Sequence, residues 1–117
     1  GVLEAAVRRF SAPCDELLAW LGPAIGPLAF EVGAEVRAAF LARSDELAVR
    51  AAFVPAHDGT SRYHADLYAL ARAELARLGV PQVHGGGRCT YGEPESFFSY
   101  RRDGVCGRMA SLIWIAH

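Results

Sequence analysis

Lysine and asparagine are absent from these 117 residues, and all 12 basic side chains are Arg. Alanine, by contrast, occurs 21 times. That composition reads as the codon bias of a GC-rich genome, so a given Arg carries less functional meaning than it would where Lys was an available alternative. Excess charge of either sign is missing too: 12 basic residues face 13 acidic ones, for a formal net charge of -1. Bulk electrostatics therefore draw the chain neither to nucleic acid nor to an anionic membrane. Cysteine is scarce. Cys14, Cys89 and Cys106 form no CxxC pair and leave one thiol over in any disulfide scheme, so a reduced, cytoplasmic setting is the simplest account. No apolar run approaches the roughly 18 residues of a membrane span, and the first residues lack the basic-then-apolar layout of a signal peptide. They also lack Met, and residues 1–7 read as the middle of a helix. The chain is expected to be a piece of something longer.

What is present is a large apolar fraction, 52% against 21% charged, which excludes global disorder and suits one domain with a sizeable core. Helical spacing places Val2, Leu3, Ala6, Val7 and Phe10 on one face. Residues 17–21 form a short apolar run that fits a buried strand. Two Gly-Pro steps follow at 22–27, which specify a defined loop and no regular element. Residues 30–42 return to a helical pattern, with Val32, Val36 and Phe40 on one face. Residues 47–54 read as a strand and residues 57–61 as a turn. A helix is expected over 64–78, with Ala65, Leu67, Leu70, Ala71, Leu75 and Leu78 as its apolar stripe and Gly79 as its stop. Residues 80–84 suit a strand, and the glycines at 85–87 a turn or a close backbone approach. Residues 97–102 fit either a strand or a short helical turn, and residues 109–115 a strongly apolar closing strand, central in its sheet. Without repeats or linkers, the pattern is that of one α/β (α+β) domain with a mixed β-sheet packed with helices.

Four histidines (His57, His64, His84, His117) and three cysteines invite a search for a metal site, yet none falls at a zinc-finger spacing or in an HExxH pair. Hydrogen-bonded or solvent-facing His is the ordinary alternative. Cys89, just after the glycine turn, suits two readings. One is a nucleophilic thiolate activated by Arg88, Arg101, Arg102 or His84; the other is an inert structural thiol at a strand end. The Gly22 to Pro27 loop leads towards a helix and suits either a rigid turn or the wall of a binding site, with Gly22 and Gly26 as backbone contacts. It is not a Walker loop, since GK[ST] is missing. Arg101 and Arg102, after an aromatic pair, suit either a bidentate clamp on phosphate or carboxylate or ordinary pairing with Asp103, Glu93 or Glu95.

Three segments are more specific together than apart: GPAIGP at 22–27 continuing to FEVG at 30–33; YHADL at 63–67; and GGGRCTY at 85–91 followed by FFSYRRD at 97–103 and GRMA at 107–110. Their order and wording resemble the C-terminal half of the laccase-domain family, also called the polyphenol oxidase or purine nucleoside phosphorylase family, over essentially the whole chain. The resemblance implies a cytoplasmic enzyme acting on purine nucleosides, by phosphorolysis of adenosine, inosine and methylthioadenosine and by adenosine deamination. Copper-dependent phenol oxidation was the older assignment, and some members are tied to editing of peptidoglycan precursors. It also implies a zinc (or copper) held by two His and one Cys of the first half, the last His lying shortly before the position where this chain begins. None of those ligands has a counterpart here. Cys106 stands where the family pattern has Thr, and Leu28 and Ala29 where many members have Cys.

The implied role is that of a C-terminal portion, residues 1–117, which lines a pocket for purine nucleoside and phosphate without carrying the metal. Its partner would be the missing N-terminal half. A different reading makes the chain a structural module that self-associates over its exposed seam, and a third makes Cys89 the nucleophile of a metal-free hydrolase.

Overall fold

A computed structural model describes residues 1–116; His117, counted above among the candidate donors, lies outside them. The chain opens with α1 (Val2–Val7) and a 3₁₀ turn (Cys14–Glu16), then forms β1 (Leu18–Leu21). After the Gly-Pro loop come β2 (Glu31–Val32), α2 (Ala34–Arg43), α3 (Leu47–Ala51), β3 (Phe53–Pro55) and β4 (Tyr63–Ala65). The central helix α4 (Leu67–Arg77), β5 (Gln82–Gly85) and the short α5 (Tyr100–Asp103) complete the order. The architecture is mixed α/β as expected, but the strands form two small sheets instead of one.

In the first sheet β1 runs parallel to β5, in register from Leu18 opposite Gln82 to Leu21 opposite Gly85. A parallel pair needs a long crossover, and everything from β2 to α4 supplies it. The second sheet is antiparallel, in the order β2-β4-β3, with Phe53 opposite Ala65 and Val32 opposite Tyr63.

Helix α4 ties the two sheets together. Asp66 caps it, its carboxylate accepting from the Ala69 N–H at 3.0 Å, which satisfies a donor the helix leaves free. Gly79, at φ +84°, ends it in the left-handed conformation that glycine adopts without a Cβ clash. Buried Leu70 joins Val32, Val49, Ala52, Phe53 and Ala65 in one core. One turn on, Leu75 joins Val7 and Val80 in a second. One apolar stripe thus serves two cores.

Several expectations yield to tertiary context. The helix expected from 64 begins at Leu67, because Tyr63–Ala65 is the middle strand of the antiparallel sheet. Residues 30–42 divide into β2 and α2, and the strand expected over 47–54 divides into α3 and β3. Of residues 97–102, the first three take no regular structure and the rest are helical, in α5, with Ser99 as cap. The buried strand expected at 17–21 is a strand, but Leu18 and Trp20 remain more than half exposed. The central closing strand over 109–115 does not form: Leu112, Ile113, Trp114 and Ile115 are 77–85% exposed and belong to no regular element. A strand needs a ladder partner to satisfy its backbone, and among the described residues none pairs with it.

Candidate functional site

Parallel strands send their following loops off the same edge of the sheet. The Gly-Pro loop leaves β1 and the glycine turn leaves β5, so topology alone brings residues 22–27 and 85–92 together. The pairing runs on past the strands: the Gly86 N–H donates to the Leu21 carbonyl at 3.1 Å and the Thr90 N–H to the Ala24 carbonyl at 3.0 Å. Between them Ala24 and Cys89 form an isolated parallel bridge. Gly85, Gly86 and Gly87 all have φ between +82° and +86°, and a Cβ on Gly85 would run into the Leu21 backbone. The expected close approach is therefore real, and it lets the second loop lie against the first.

The Cys89 thiol sits where the loops meet. Its Sγ accepts from the Gly26 N–H at 3.2 Å and the Gly92 N–H at 3.3 Å. Partial burial, the largest single influence, pushes the thiol up, but the amides of Gly26, Gly92 and Tyr91 together outweigh it and hold it below its ordinary value. Backbone dipoles stabilise the thiolate, and the three arginines proposed as its activators are engaged by other groups. Arg88 is engaged with Glu93, its Nε donating to Oε1 at 2.9 Å, while the other Glu93 oxygen accepts from the Cys89 N–H at 2.8 Å. The Glu93 charge itself pushes the thiol upward.

Arg102 reaches the same loop but is taken up by its carbonyls. It donates to Thr90 at 2.8 Å, Tyr91 at 3.1 Å and Phe97 at 2.9 Å, and it pairs with Asp103. Arg101 points to the other sheet, donating to the Glu31 carbonyl at 3.0 Å with its guanidinium over the Phe30 ring. Gly22 is roomier than Gly26: a Cβ there would meet Ser111 and Trp20 at ordinary contact distance, whereas at Gly26 it would press on Cys89. Gly26 and Cys89 are thus brought together, while Gly22 and Arg101 stand apart from the thiol's contacts.

Metal chemistry finds no fitting donor set. His57 lies in the 57–61 turn, His64 on β4 and His84 on β5, and among the described residues no three His, Cys, Asp or Glu side chains converge. Among the described residues, then, no three-ligand set stands ready for the zinc or copper that the resemblance implies. A hollow of about 310 Å³ lies away from the loops, lined by Val2, Phe40, Leu67 and Leu70 among others. Its polar rim is already neutralised, with Glu74 paired to Arg77 at 2.8 Å and to Arg43 at 3.8 Å, so it offers no converging free groups.

Sequence reasoning passed over Tyr68, whose hydroxyl touches both loops. The available signal was an aromatic residue in the first turn of the helix, seven residues before Leu75 and so on the same face.

Comparison with known proteins agrees with this arrangement of loops and strands. The family model described as multi-copper polyphenol oxidoreductase laccase matches residues 1–116. The purine nucleoside phosphorylase YfiH of Shigella flexneri is 57% identical over 115 residues, which cover 98% of this chain and 45% of that protein. The purine nucleoside phosphorylase PA4543 of Pseudomonas aeruginosa is 56% identical over 115 residues, 98% of this chain and 46% of that protein. The crystal structure of Neisseria meningitidis protein NMB0706 superimposes with a TM-score of 0.81 at 48% identity, over 89% of this chain and 41% of that one. The chain thus spans less than half the length of the relatives it matches.

Proposed function

Because this chain belongs to the multi-copper polyphenol oxidoreductase laccase family, we propose that it forms one wall of a purine-nucleoside pocket, with the loops at 22–27 and 85–92 as that wall. The observation that carries this reading is the meeting of two glycine-bearing loops at the carboxyl ends of parallel β1 and β5, the edge at which open α/β sheets receive ligands. Relatives named purine nucleoside phosphorylase supply the substrate class. Phosphorolysis, in which phosphate attacks the anomeric carbon and the purine base departs, is proposed of the whole protein. Residues 1–117 would be the C-terminal part of its domain, and the other groups would come from the length these relatives have beyond this chain. Adenosine deamination and a cytoplasmic setting belong to the same proposal. No helix among the described residues is long and apolar enough to cross a membrane.

The test is to incubate the chain with phosphate, zinc and adenosine or inosine, with and without a polypeptide carrying the remaining part of a relative, and to follow free base by chromatography. Release only from the mixture is the expected result. Release from the chain alone would move the chemistry onto its own residues, with Cys89 first among them. No release from the mixture, where the intact relative is active, would sink the reading.

A specific observation also favours self-association. The accessible surface is 8296 Å², whereas a compact monomer of 12.6 kDa exposes about 6,200 Å². The excess exceeds the roughly 800 Å² each partner contributes to an ordinary interface, and Leu112, Ile113, Trp114 and Ile115 are among the most exposed apolar side chains. Sedimentation velocity should show concentration-dependent assembly that is lost when these four residues are replaced by Ser. A monomer at every concentration would remove this alternative.

A further inference from the structure

Tyr68 stands in the first turn of α4, 8% exposed, with its hydroxyl between the two loops. It accepts a hydrogen bond from the Ala24 N–H at 2.8 Å and donates one to the Arg88 carbonyl at 2.7 Å, using both hydrogen-bonding capacities of a phenol. The Ala24 carbonyl is itself held by the Thr90 N–H, so both backbone groups of Ala24 are fixed. Two residues further along the first loop is Gly26, whose amide meets the Cys89 Sγ. One residue beyond Arg88 is Cys89 itself. The ring side is filled as well, since a Cβ on Gly86 would stand 3.2 Å from the Tyr68 ring.

Resting on the wall reading above, the geometry points to Tyr68 as a positioning residue that fixes the separation of the two loops and thereby holds the Cys89 thiol against the Gly26 amide. The hydroxyl is a tether of fixed length on a rigid helix. Without it, the Ala24 N–H and the Arg88 carbonyl lose a shared partner, the loops separate, and the thiolate loses its nearest backbone donor. Removing the hydroxyl alone leaves the packing of the ring in place.

The test is the pH dependence of iodoacetamide alkylation, read peptide by peptide by mass spectrometry so that Cys14 and Cys106 serve as internal references. In Tyr68→Phe the Cys89 midpoint should rise by about half a pH unit or more, which leaves about threefold less thiolate at neutral pH, while the two reference profiles stay in place. Val49→Ala, in the core on the antiparallel sheet, should lower stability without moving the Cys89 midpoint. An unmoved midpoint in Tyr68→Phe, or an equal rise in Val49→Ala, overturns the proposal. Hydrogen exchange on the unaltered chain adds a check that needs no variant: the Ala24 amide should be protected, and exchange at the rate of an unstructured peptide overturns it. Protection of Cys89 from alkylation by purine nucleoside in the reconstituted protein tests the wall separately. A raised midpoint in Tyr68→Phe without such protection upholds the positioning role and overturns the pocket.

Discussion

A methyl group added at Gly26 would stand 3.1 Å from the Cys89 Cβ and 3.2 Å from its Sγ, closer than carbon atoms pack at rest. Gly26→Ala should therefore push the loops apart, at a cost of about 1–3 kcal/mol, and slow alkylation of Cys89 at neutral pH. Urea unfolding and thiol kinetics measure the two effects independently; a variant as stable and as reactive as the parent would mean that the loops yield freely. Glu93 offers a second prediction. The Arg88 guanidinium, bonded to its carboxylate, and the Cys89 amide hold it below the usual 4.5, against a smaller opposing effect of burial. A carboxyl depressed in the folded chain favours folding above its unfolded value and loses that contribution as pH falls through its folded one. The parent should thus lose stability more steeply below pH 4.5 than Glu93→Gln, as read from melting temperature against pH. Parallel curves would show that the Arg88 contact is too solvated to matter.

Helix α4 presents Tyr68 to the loops, Leu70 to one core and Leu75 to the other. Its stability should consequently be graded along its length. Leu75 is 3% exposed, and Leu75→Ala should cost about 2–5 kcal/mol through lost burial and a residual cavity. Asp66→Ala removes the cap on the Ala69 amide and should cost about 1 kcal/mol. Chemical denaturation orders the two, and a reversed order would mean that the second core collapses around the smaller side chain. The helix was readable from its stripe and from Gly79, whereas its true start at Leu67 was not. Residues 63–65 satisfy helical spacing as well as they satisfy a strand, and only pairing with β2 and β3 decides between them. The same conflict divides residues 47–54, where α3 is short and Phe53 turns inward against Ala65.

Across the whole molecule, the radius of gyration is 15.7 Å, while a compact chain of this length has about 13.4 Å. Residues 109–116 are exposed and without regular structure. Trp20 and Trp114 are 56% and 77% exposed, so the chain alone should emit at the red end of tryptophan fluorescence. Emission should move to the blue when a partner covers these side chains. An unchanged spectrum in a mixture that binds would place the contact on another face.

The sequence by itself determined the α/β class, the central helix and its glycine stop, the two glycine-marked loops and the family, because these depend on local conformation and on the wording of short motifs. It marked Cys89 and Gly26 but did not join them, since the two lie 63 positions apart along the chain. The parallel pairing of β1 and β5 made them neighbours. Tertiary structure alone decided that Arg102 is occupied by loop carbonyls, that Arg101 faces the other sheet, and that Tyr68 bridges both loops. It also left residues 109–115 without a ladder. A strongly apolar run states a preference for strand, but a strand exists only where another backbone is present to satisfy its hydrogen bonds.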